Sequence, residues 1–481
     1  MPKNVLLICT DHWPGSLLGC AGHPVVMTPT LDQLARDGVR FGRFYSDSPV
    51  CVPARRSLMT GMYPATHGCA TNCALPLPNA KTLPQAFRDA GYQAYAVGKM
   101  HVSPPRARIG FDDVILAENG RYQGGATGDY QIWLGEQGYV GQEYHHGMSN
   151  NDYNTRPWHL PEQMHQTNWI TEQMVKTILR RDPSRPAFYY LSYGFPHPPL
   201  VPLQAYQDKY SLDEIDEPYR GAWADNTEKE ICTVKGNQLS NGHYTQKEIK
   251  MARRAFYAQC THIDHQIRRV IGTLSSEGIR QDTVIAFTSD HGDMLFNHGM
   301  TRKRLMYEGS ANVPFILSGQ PVAEYRGTVN SDPYCLSDVM PTLLNLCGID
   351  IPNTVDGISM FGGKKNETVF SEITDSTCMV ANGRFKLIYY PVGNHTQLFD
   401  LDNDPREMAD LDSDPAYADI KASLTGQLIS RFYGGMGAWV TDGKLTGLPD
   451  QKAALGPNYG LSGQRGGHWP VNPGLLGAKV K

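Results

Sequence analysis

Ionisable residues follow four apolar, strand-like runs of the sequence, and their types suit a metal-assisted reaction on an anion. The pairs of run and residues are Val5–Cys9 with Asp11 and His12, Tyr92–Val97 with Lys99 and His101, Ala187–Tyr193 with His197, and Thr283–Thr288 with Asp290 and His291. If the runs are parallel strands, their carboxyl ends share one edge of a sheet and these side chains converge. Two carboxylates with imidazoles suit a divalent metal ion, which polarises an anionic ester and activates a nucleophile.

Cys51 differs from the other nine cysteines because a recognisable pattern surrounds it. It begins a C-x-P-x-R segment over residues 51–55, and Pro53 lies near the first turn of a helix predicted over Ala54–Thr60. A nucleophile there lies at a helix N-terminus, whose dipole favours an oxyanion. The other cysteines are expected to be reduced thiols, since the CxxxC spacing of Cys69 and Cys73 is a weak zinc signal.

Three cationic side chains complete the expected site. Lys99, Lys303 and Arg55 are suited to neutralise a tetrahedral anionic group by charge-assisted hydrogen bonds. Together with the carboxylates and imidazoles, they predict hydrolysis of a tetrahedral anionic ester at one edge of the sheet.

The elements that position these residues predict an α/β protein with two folded units. Strand-like runs, to which Pro314–Leu317 is added, alternate with helical patterns at Thr30–Asp37, Leu83–Ala90, Thr167–Leu179 and Lys247–Leu274. This alternation predicts a large, mainly parallel sheet between two layers of helices, over residues 1–367. Residues 368–433 predict a small antiparallel sheet with a helix near Ala416–Phe432, and 434–481 form a Gly/Pro-rich arm. A polar, aromatic insertion at 118–168 is expected to shape the mouth of the site.

Several segments resemble the type I sulfatase family of the alkaline phosphatase superfamily. The resemblance runs in order over about residues 3–412 and is carried by the opening at 4–11 with Thr28–Asp32, the C-x-P-x-R segment with Ser57–Pro64, Ser289–Gly292 with Lys303 and Tyr307–Gly309, and Leu398–Leu401 with Asp404–Glu407. It implies an alkaline phosphatase-like fold and hydrolysis of a sulfate ester. It also implies that a separate maturating enzyme converts Cys51 to formylglycine, whose metal-bound hydrate is the nucleophile.

The resemblance implies a role for each matched residue. The metal ligands are expected to be Asp11, His12, Asp290, His291 and the formylglycine at Cys51. Arg55 is expected to hold the formylglycine hydroxyl, and Lys99, Lys303, His197 and Asn72 to contact the substrate. His197, with Lys303, is expected to protonate the leaving alcohol, and His101 to accept a proton when sulfate is released.

His12 departs from the commonest family pattern, in which a second Asp stands at this position. An imidazole removes one negative charge and is a softer ligand than a carboxylate. Ca²⁺ is the expected ion, with Mg²⁺ and Mn²⁺ as alternatives, and His12 is alternatively a hydrogen-bond donor to substrate.

Two other functions compete with sulfate-ester hydrolysis. The first is a phosphonate monoester or phosphate diester hydrolase of the same superfamily, against which the Lys99/His101 pair argues because it resembles sulfatases. The second is a non-catalytic protein that binds anions or glycans, against which the complete set of matched residues argues.

Composition sets the expected surroundings of the protein. The net charge is −4 and no long Lys/Arg run occurs, so no nucleic-acid partner is expected. No apolar window is long enough to predict a membrane span, and the short apolar run after Lys3 does not predict a secretory signal. We therefore expect a cytoplasmic protein, acting on a small or carbohydrate sulfate ester, with homo-oligomers formed through the C-terminal arm.

Overall fold

The central sheet carries the ends of all four strand-like runs that precede the candidate site residues. A computed structural model describes residues 4–118, 127–148, 150–226, 230–240, 244–374 and 376–453. Its strands up to residue 335 are β1 (Asn4–Thr10), β2 (Gly38–Phe41), β3 (Phe44–Tyr45), β4 (Gln93–Gly98), β5 (Asp113–Leu116), β6 (Ala187–Ser192), β7 (Thr283–Ser289), β8 (Phe315–Ser318), β9 (Thr328–Asn330) and β10 (Tyr334–Cys335).

Eight of these strands form one sheet, in the order β5-β4-β6-β1-β7-β8-β2-β9. Neighbouring strands are parallel except where β8 pairs with β7 and with β2. The mainly parallel sheet predicted from the alternating pattern is confirmed. Strands β4, β6, β1 and β7 are consecutive neighbours, so their carboxyl ends open onto one stretch of the same edge.

Helices cover both faces of this sheet. The helices of the described residues are α1 (Pro29–Arg36), α2 (Cys51–Thr60), α3 (Pro64–His67), α4 (Leu83–Asp89), α5 (Asp129–Glu136), α6 (Gln166–Leu179), α7 (Gln204–Gln207), α8 (Cys232–Ser240), α9 (Gln246–Ser276), α10 (Glu308–Ala311), α11 (Val339–Leu346) and α12 (Ala418–Ser430). Alternate residues of β1 point to opposite faces: Leu6 and Ile8 pack in a core with α1, α6 and α9, whereas Val5 and Leu7 pack with α2, α4 and α11. The continuous apolar run of β1 is therefore that of a strand buried on both faces.

The small sheet predicted near the C-terminus is also present. It consists of β11 (Val369–Ile373), β12 (Thr377–Ala381), β13 (Phe385–Tyr390) and β14 (His395–Asp400), all antiparallel. One face buries Leu424 and Leu428 of α12, and the other packs on loops of the larger unit that include Met294 and Tyr307. A division of the chain at residue 368 stays a prediction.

Part of the predicted C-terminal arm packs on its own chain. Met436 and Trp439 are buried against the α12 face of the small sheet, and a short hairpin follows, formed by β15 (Val440–Thr441) and β16 (Lys444–Leu445). Residues 454–481 lie outside the described residues, so homo-oligomerisation through the arm stays a prediction.

The expectation of reduced thiols is wrong for one pair of cysteines. Cys69 and Cys73 form a disulfide, with their Cα atoms 6.8 Å apart, because the chain turns back on itself between them. The remaining cysteines are free, and most of them, including Cys9 and Cys260, are buried. No helix of the described residues combines the length and apolar character needed to cross a bilayer.

Candidate active site

The carboxyl ends of β1 and β7 bring two carboxylates together in the interior. Asp11 follows β1 and Asp290 follows β7, and both side chains are fully buried. The Asp290 amide donates to the Thr10 carbonyl at 3.2 Å, which ties the two strand ends to each other. Nε2 of His291 lies 3.4 Å from Oδ1 of Asp11 and 3.6 Å from Oδ1 of Asp290. Two acidic strand ends and one imidazole therefore face a single point.

Cys51, at the N-terminus of helix α2, lies next to these carboxylates and the imidazole. Cys51 is the first residue of the helix, after Val50 in an extended conformation. Its Sγ lies 3.2 Å from Nε2 of His291 and 3.8 Å from Oδ1 of Asp11. Asn72 accepts a hydrogen bond from the Val52 amide at 3.1 Å through Oδ1, and it thereby caps an amide that the first turn leaves unpaired. Asn72 supports the helix that holds Cys51, and its side chain is exposed.

Asp11, Cys51, Asp290 and His291 form a buried group whose donor atoms all lie within 4.8 Å of one another. Carboxylate oxygens, an imidazole nitrogen and a group at position 51 make a donor set that suits a divalent cation. His12 is not in this group. It belongs instead to a second buried group, with Asp11 and His197, that meets the same distance limit.

Arg55 lies one helical turn after Cys51 and contacts both carboxylates of the acidic pair. Its Nε donates to Oδ2 of Asp290 at 2.8 Å, and Nη2 lies 3.8 Å from Oδ2 of Asp11. Nη1 donates to Oγ of Ser192 at 2.7 Å and to the Tyr190 hydroxyl at 3.1 Å, both on β6. Arg55 is 2% exposed, so its guanidinium is a buried positive charge with a fixed position next to the acidic pair.

Lys99 follows β4 and places a second buried cation against Asp11. Its Nζ forms a short ion pair with Oδ2 of that carboxylate. Gly98, the last residue of β4, has a φ of +111°, and a Cβ there would come within 1.8 Å of the Ser192 carbonyl oxygen. A glycine is required because β4 and β6 approach so closely where Lys99 turns into the site.

Lys303 and two imidazoles lie on the other side of Asp11. Nζ of Lys303 is 2.5 Å from Nε2 of His12 and 3.1 Å from Nε2 of His197. Nδ1 of His197 is 2.5 Å from the Pro198 carbonyl oxygen, so Nδ1 carries the hydrogen and Nε2 faces Lys303. Burial lowers the pKa of His12 and of His197 well below the usual range, and the charge of Lys303 adds to that effect. Both rings are neutral beside the ammonium.

His101 lies beside Glu118 at the edge of the group. Its Nε2 is 3.0 Å from Oε2 of Glu118, which also accepts the His101 amide at 2.6 Å through Oε1. Among the described side chains, both ring nitrogens of His101 are buried without a well-aligned hydrogen bond. An imidazole with a carboxylate behind it and an open nitrogen suits transfer of a proton.

The charge around Cys51 favours an anion. Burial and Asp11 act to raise the pKa of the Cys51 thiol, but Lys303, Lys99 and His291 bring that pKa well below its usual range. Burial acts to raise the pKa of Asp11, but the charge of Lys99 outweighs it and holds that pKa well below its usual range. Negative charge that develops at position 51 therefore meets a field that stabilises it.

Two acidic residues that the sequence did not single out contact the site. Glu118 follows β5, a strand that the sequence did not predict, and pairs with His101. Asp293 accepts a hydrogen bond from Nδ1 of His12 at 2.7 Å and another from the Tyr153 hydroxyl. The sequence signal that could have identified both residues is an acidic residue shortly after a strand. Asp293 is such a residue, but it lies only three positions after Asp290, in a segment whose acidic and imidazole residues had already been assigned to the site.

The aromatic residues of the 118–168 insertion serve mainly as packing. Tyr130 is buried against Trp133 and Trp169, and Tyr153 faces Phe296 and Asp293. Trp158 is half-buried and makes a tilted ring contact with His159 and an edge-on contact with the buried His165. Tyr122 lies outside the described residues.

Comparison with known proteins gives one consistent family. The family profile described as Sulfatase matches residues 3–349, and the profile described as N-sulphoglucosamine sulphohydrolase, C-terminal, matches residues 296–432. An arylsulfatase of Clostridium perfringens is 33% identical over 469 residues, which cover 92% of this chain and 97% of that protein. A choline-sulfatase of Rhizobium meliloti is 29% identical over 440 residues, covering 88% and 85%. The crystal structure of a phosphonate monoester hydrolase of Agrobacterium radiobacter has the same fold, with a TM-score of 0.75 at 23% identity, covering 89% of this chain and 95% of that one.

Proposed function

The chain belongs to the sulfatase family, and on that premise we propose that it hydrolyses a sulfate ester at the site built around Cys51. The observation that carries the proposal is the buried group of Asp11, Cys51, Asp290 and His291, surrounded by cationic side chains. The reaction converts R–O–SO₃⁻ and water to R–OH, SO₄²⁻ and a proton. A site of this kind stabilises charge on a tetrahedral group while water is excluded.

The donor set fits one divalent cation. Asp11 and Asp290 supply charge, His291 supplies a nitrogen, and residue 51 completes the group. We assign His12 to the same ion, through Nε2, which lies 3.8 Å from Oδ1 of Asp11. A bound cation would polarise the sulfate oxygens and favour the deprotonated nucleophile.

Position 51 is proposed to carry formylglycine, made from Cys51 by a separate maturating enzyme. A hydrated aldehyde has one hydroxyl that attacks and a second that allows sulfate to leave as the carbonyl forms again. The plain thiol has no such second group. Arg55 is proposed to hold this side chain from the next helical turn, where hydrogen bonds to Asp290 and Ser192 fix its guanidinium.

We propose separate roles in substrate binding and proton transfer for the surrounding side chains. Lys99 and Lys303 are proposed to hold the sulfate oxygens on opposite sides of Asp11. His197 is proposed to protonate the leaving alcohol from Nε2, with a proton that Nε2 takes from the Lys303 ammonium 3.1 Å away as it passes one on. His101, backed by Glu118, is proposed to take up the proton released when sulfate departs.

The alcohol that bears the sulfate is a matter for a direct assay. Choline sulfate, 4-nitrophenyl sulfate and a sulfated glucosamine should be compared with a phosphonate monoester and a phosphate diester, using the purified, metal-loaded protein and Cys51→Ala as the matched control. The proposal expects the highest kcat/KM on a sulfate ester. A higher kcat/KM on the phosphonate or the diester would assign the protein to the competing hydrolase class.

The modification at position 51 needs a separate readout. The mass of the peptide that contains residue 51 should lie about 18 Da below that of the cysteine form if formylglycine is present. An active preparation in which that peptide carries only cysteine would contradict the formylglycine proposal and leave sulfate-ester hydrolysis itself standing.

A further inference from the structure

Asp293 is a buried carboxylate that contacts His12 and does not belong to either group of candidate metal ligands. Oδ2 of Asp293 accepts the 2.7 Å hydrogen bond from Nδ1 of His12 and the hydrogen bond from the Tyr153 hydroxyl. Oδ1 accepts the amides of Leu295 at 2.9 Å and Arg302 at 3.2 Å. The side chain is 1% exposed, so these four contacts fix its position.

The contact with Asp293 decides which nitrogen of His12 keeps its lone pair. A carboxylate at 2.7 Å from Nδ1 requires the hydrogen on Nδ1, which leaves the lone pair on Nε2. That nitrogen lies 3.8 Å from Oδ1 of Asp11 and 2.5 Å from Nζ of Lys303, so a cation bound through it would replace the contact with the lysine. His12 also has a φ of +69°, a left-handed conformation that is uncommon outside glycine.

We propose that Asp293 is a positioning residue that makes His12 a nitrogen ligand of the metal ion and shifts the site from Ca²⁺ towards Mn²⁺. The inference rests on the proposed function only in assuming a cation at Asp11. Histidine ligands commonly donate their second ring N–H to a carboxylate, which orients the ring and strengthens the ligand. Ca²⁺ takes oxygen ligands, whereas imidazole suits transition-metal ions, and Mn²⁺ is the ion of that series that also suits the carboxylates of this site.

The same contact explains why an aspartate is unsuited to position 12 in this chain. A carboxylate at position 12 would face the fixed carboxylate of Asp293 across a few ångströms, and like charges at that distance repel in a buried site. In this protein the negative charge stands behind the ligand, on Asp293, rather than on the ligand itself. Positions 12 and 293 should therefore be coupled.

The test measures metal binding without substrate. Metal-free protein is titrated with Mn²⁺ and with Ca²⁺. The proteins compared are wild type, the single variants Asp293→Leu, Asp293→Asn, His12→Gln and His12→Asp, and the double variants His12→Gln/Asp293→Leu and His12→Asp/Asp293→Asn. Tyr153→Phe is the control, because it removes another hydrogen bond to Asp293. We expect wild type to bind Mn²⁺ more tightly than Ca²⁺. Asp293→Leu should weaken Mn²⁺ binding by about 10–100-fold, as for other carboxylates behind a histidine ligand. Tyr153→Phe should change it by less than about threefold.

The double variants separate positioning from a general structural role. If Asp293 acts through His12, Asp293→Leu should have little further effect once His12 is glutamine, and His12→Asp/Asp293→Asn should bind Ca²⁺ more tightly than His12→Asp alone. Equal losses from Asp293→Leu in both backgrounds, or unchanged Mn²⁺ affinity in folded Asp293→Leu or Asp293→Asn, would overturn the proposal. Because no turnover is measured, absence of sulfatase activity would bear on the proposed function and leave this result unaffected.

Discussion

Sγ of Cys51 lies 3.2 Å from Nε2 of His291, although the two residues are 240 positions apart in the chain. The contact forms because α2 begins where β7 ends, so the first residue of the helix meets the second residue after the strand. A side chain at position 51 is thus close enough to share a cation with His291 while it faces a substrate held by the lysines.

Cys51→Ala should abolish sulfate-ester hydrolysis and leave the fold intact. The side chain is small, and its contacts are with site residues rather than with the two large cores. Turnover and the melting temperature should be measured together, with Cys20→Ala, a half-buried cysteine outside the site, as the control. A purified Cys51→Ala protein that keeps most of its kcat would refute the nucleophile assignment.

Asp11→Asn and Asp290→Asn should each lower metal content and activity together, since each removes a carboxylate charge from the ion. Chelation of the wild type should inactivate it reversibly. Metal content by mass spectrometry and kcat should be compared with Asp37→Asn, which alters an exposed aspartate on the surface. A fully active, metal-free preparation would rule out the metal-assisted reaction.

The strands that the sequence predicted share one property. In the large sheet each is a run dominated by apolar residues, and β1, β6 and β7 are buried along their whole length on both faces. Strands β2, β5 and β9 were not predicted because they are three or four residues long and contain polar or exposed positions. The antiparallel direction of β8 has no local signature, since its apolar run looks the same in either direction.

The site followed from the sequence wherever a residue comes directly after a predicted strand. Asp11, Lys99 and Asp290 do so, and they meet as expected. The contacts of Asp293 were not predictable in the same way, because its partner His12 is 281 positions away and only the folded chain brings them together. The hydrogen bond by which Asn72 caps α2 likewise comes from a loop, and no sequence pattern predicts it.

Lys386→Met should destabilise the protein by roughly 3–5 kcal/mol, because it leaves the buried Glu407 and the largely buried Glu308 without their cation. Nζ of Lys386 on β13 lies 2.6 Å from Oε1 of Glu308 and 2.8 Å from Oε1 of Glu407, and the lysine is fully buried. The three residues join the small sheet to the loop after Lys303.

The matched control for Lys386→Met is Lys421→Met, which breaks a partly exposed pair with Asp412 and should cost about 1 kcal/mol or less. Denaturant unfolding followed by fluorescence and circular dichroism gives both values. Equal, small effects of the two substitutions would show that the buried triad does not stabilise the junction.

Asp47→Asn should reduce the pH dependence of stability. Burial raises the pKa of Asp47 to about 7, whereas an unfolded aspartate has a pKa of about 3.9. Between about pH 4 and pH 7 the unfolded chain releases a proton that the folded chain retains, so the free energy of unfolding falls as pH rises through this window. Asparagine keeps the contact with Ser337, whose hydroxyl can accept as well as donate.

Melting temperatures of wild type and Asp47→Asn between pH 4.5 and pH 8 test this prediction. The wild type should lose more stability on going up in pH, and the variant should lose less. Burial also raises the pKa of Asp338 to about 6 and that of Glu372 to about 7, so some slope should remain. Parallel curves for the two proteins would show that Asp47 is ionised in the folded state throughout.

His197→Ala should reveal whether this imidazole donates a proton or only holds the substrate. Its Nδ1 donates to the Pro198 carbonyl, and Nε2 faces Lys303 at 3.1 Å, so only Nε2 can pass on a proton, which it takes from the Lys303 ammonium. General acid catalysis typically contributes ~10²–10⁴-fold, and a sugar or alkyl alkoxide depends on that proton far more than nitrophenolate does. The loss of kcat should therefore be much larger on a sugar sulfate than on 4-nitrophenyl sulfate.

His101→Ala is the matched comparison: it should slow sulfate release, so that a burst of alcohol precedes a slow phase with either substrate. Equal losses on both substrates for His197→Ala would show that His197 binds rather than protonates, and the acid role would then pass to Lys303.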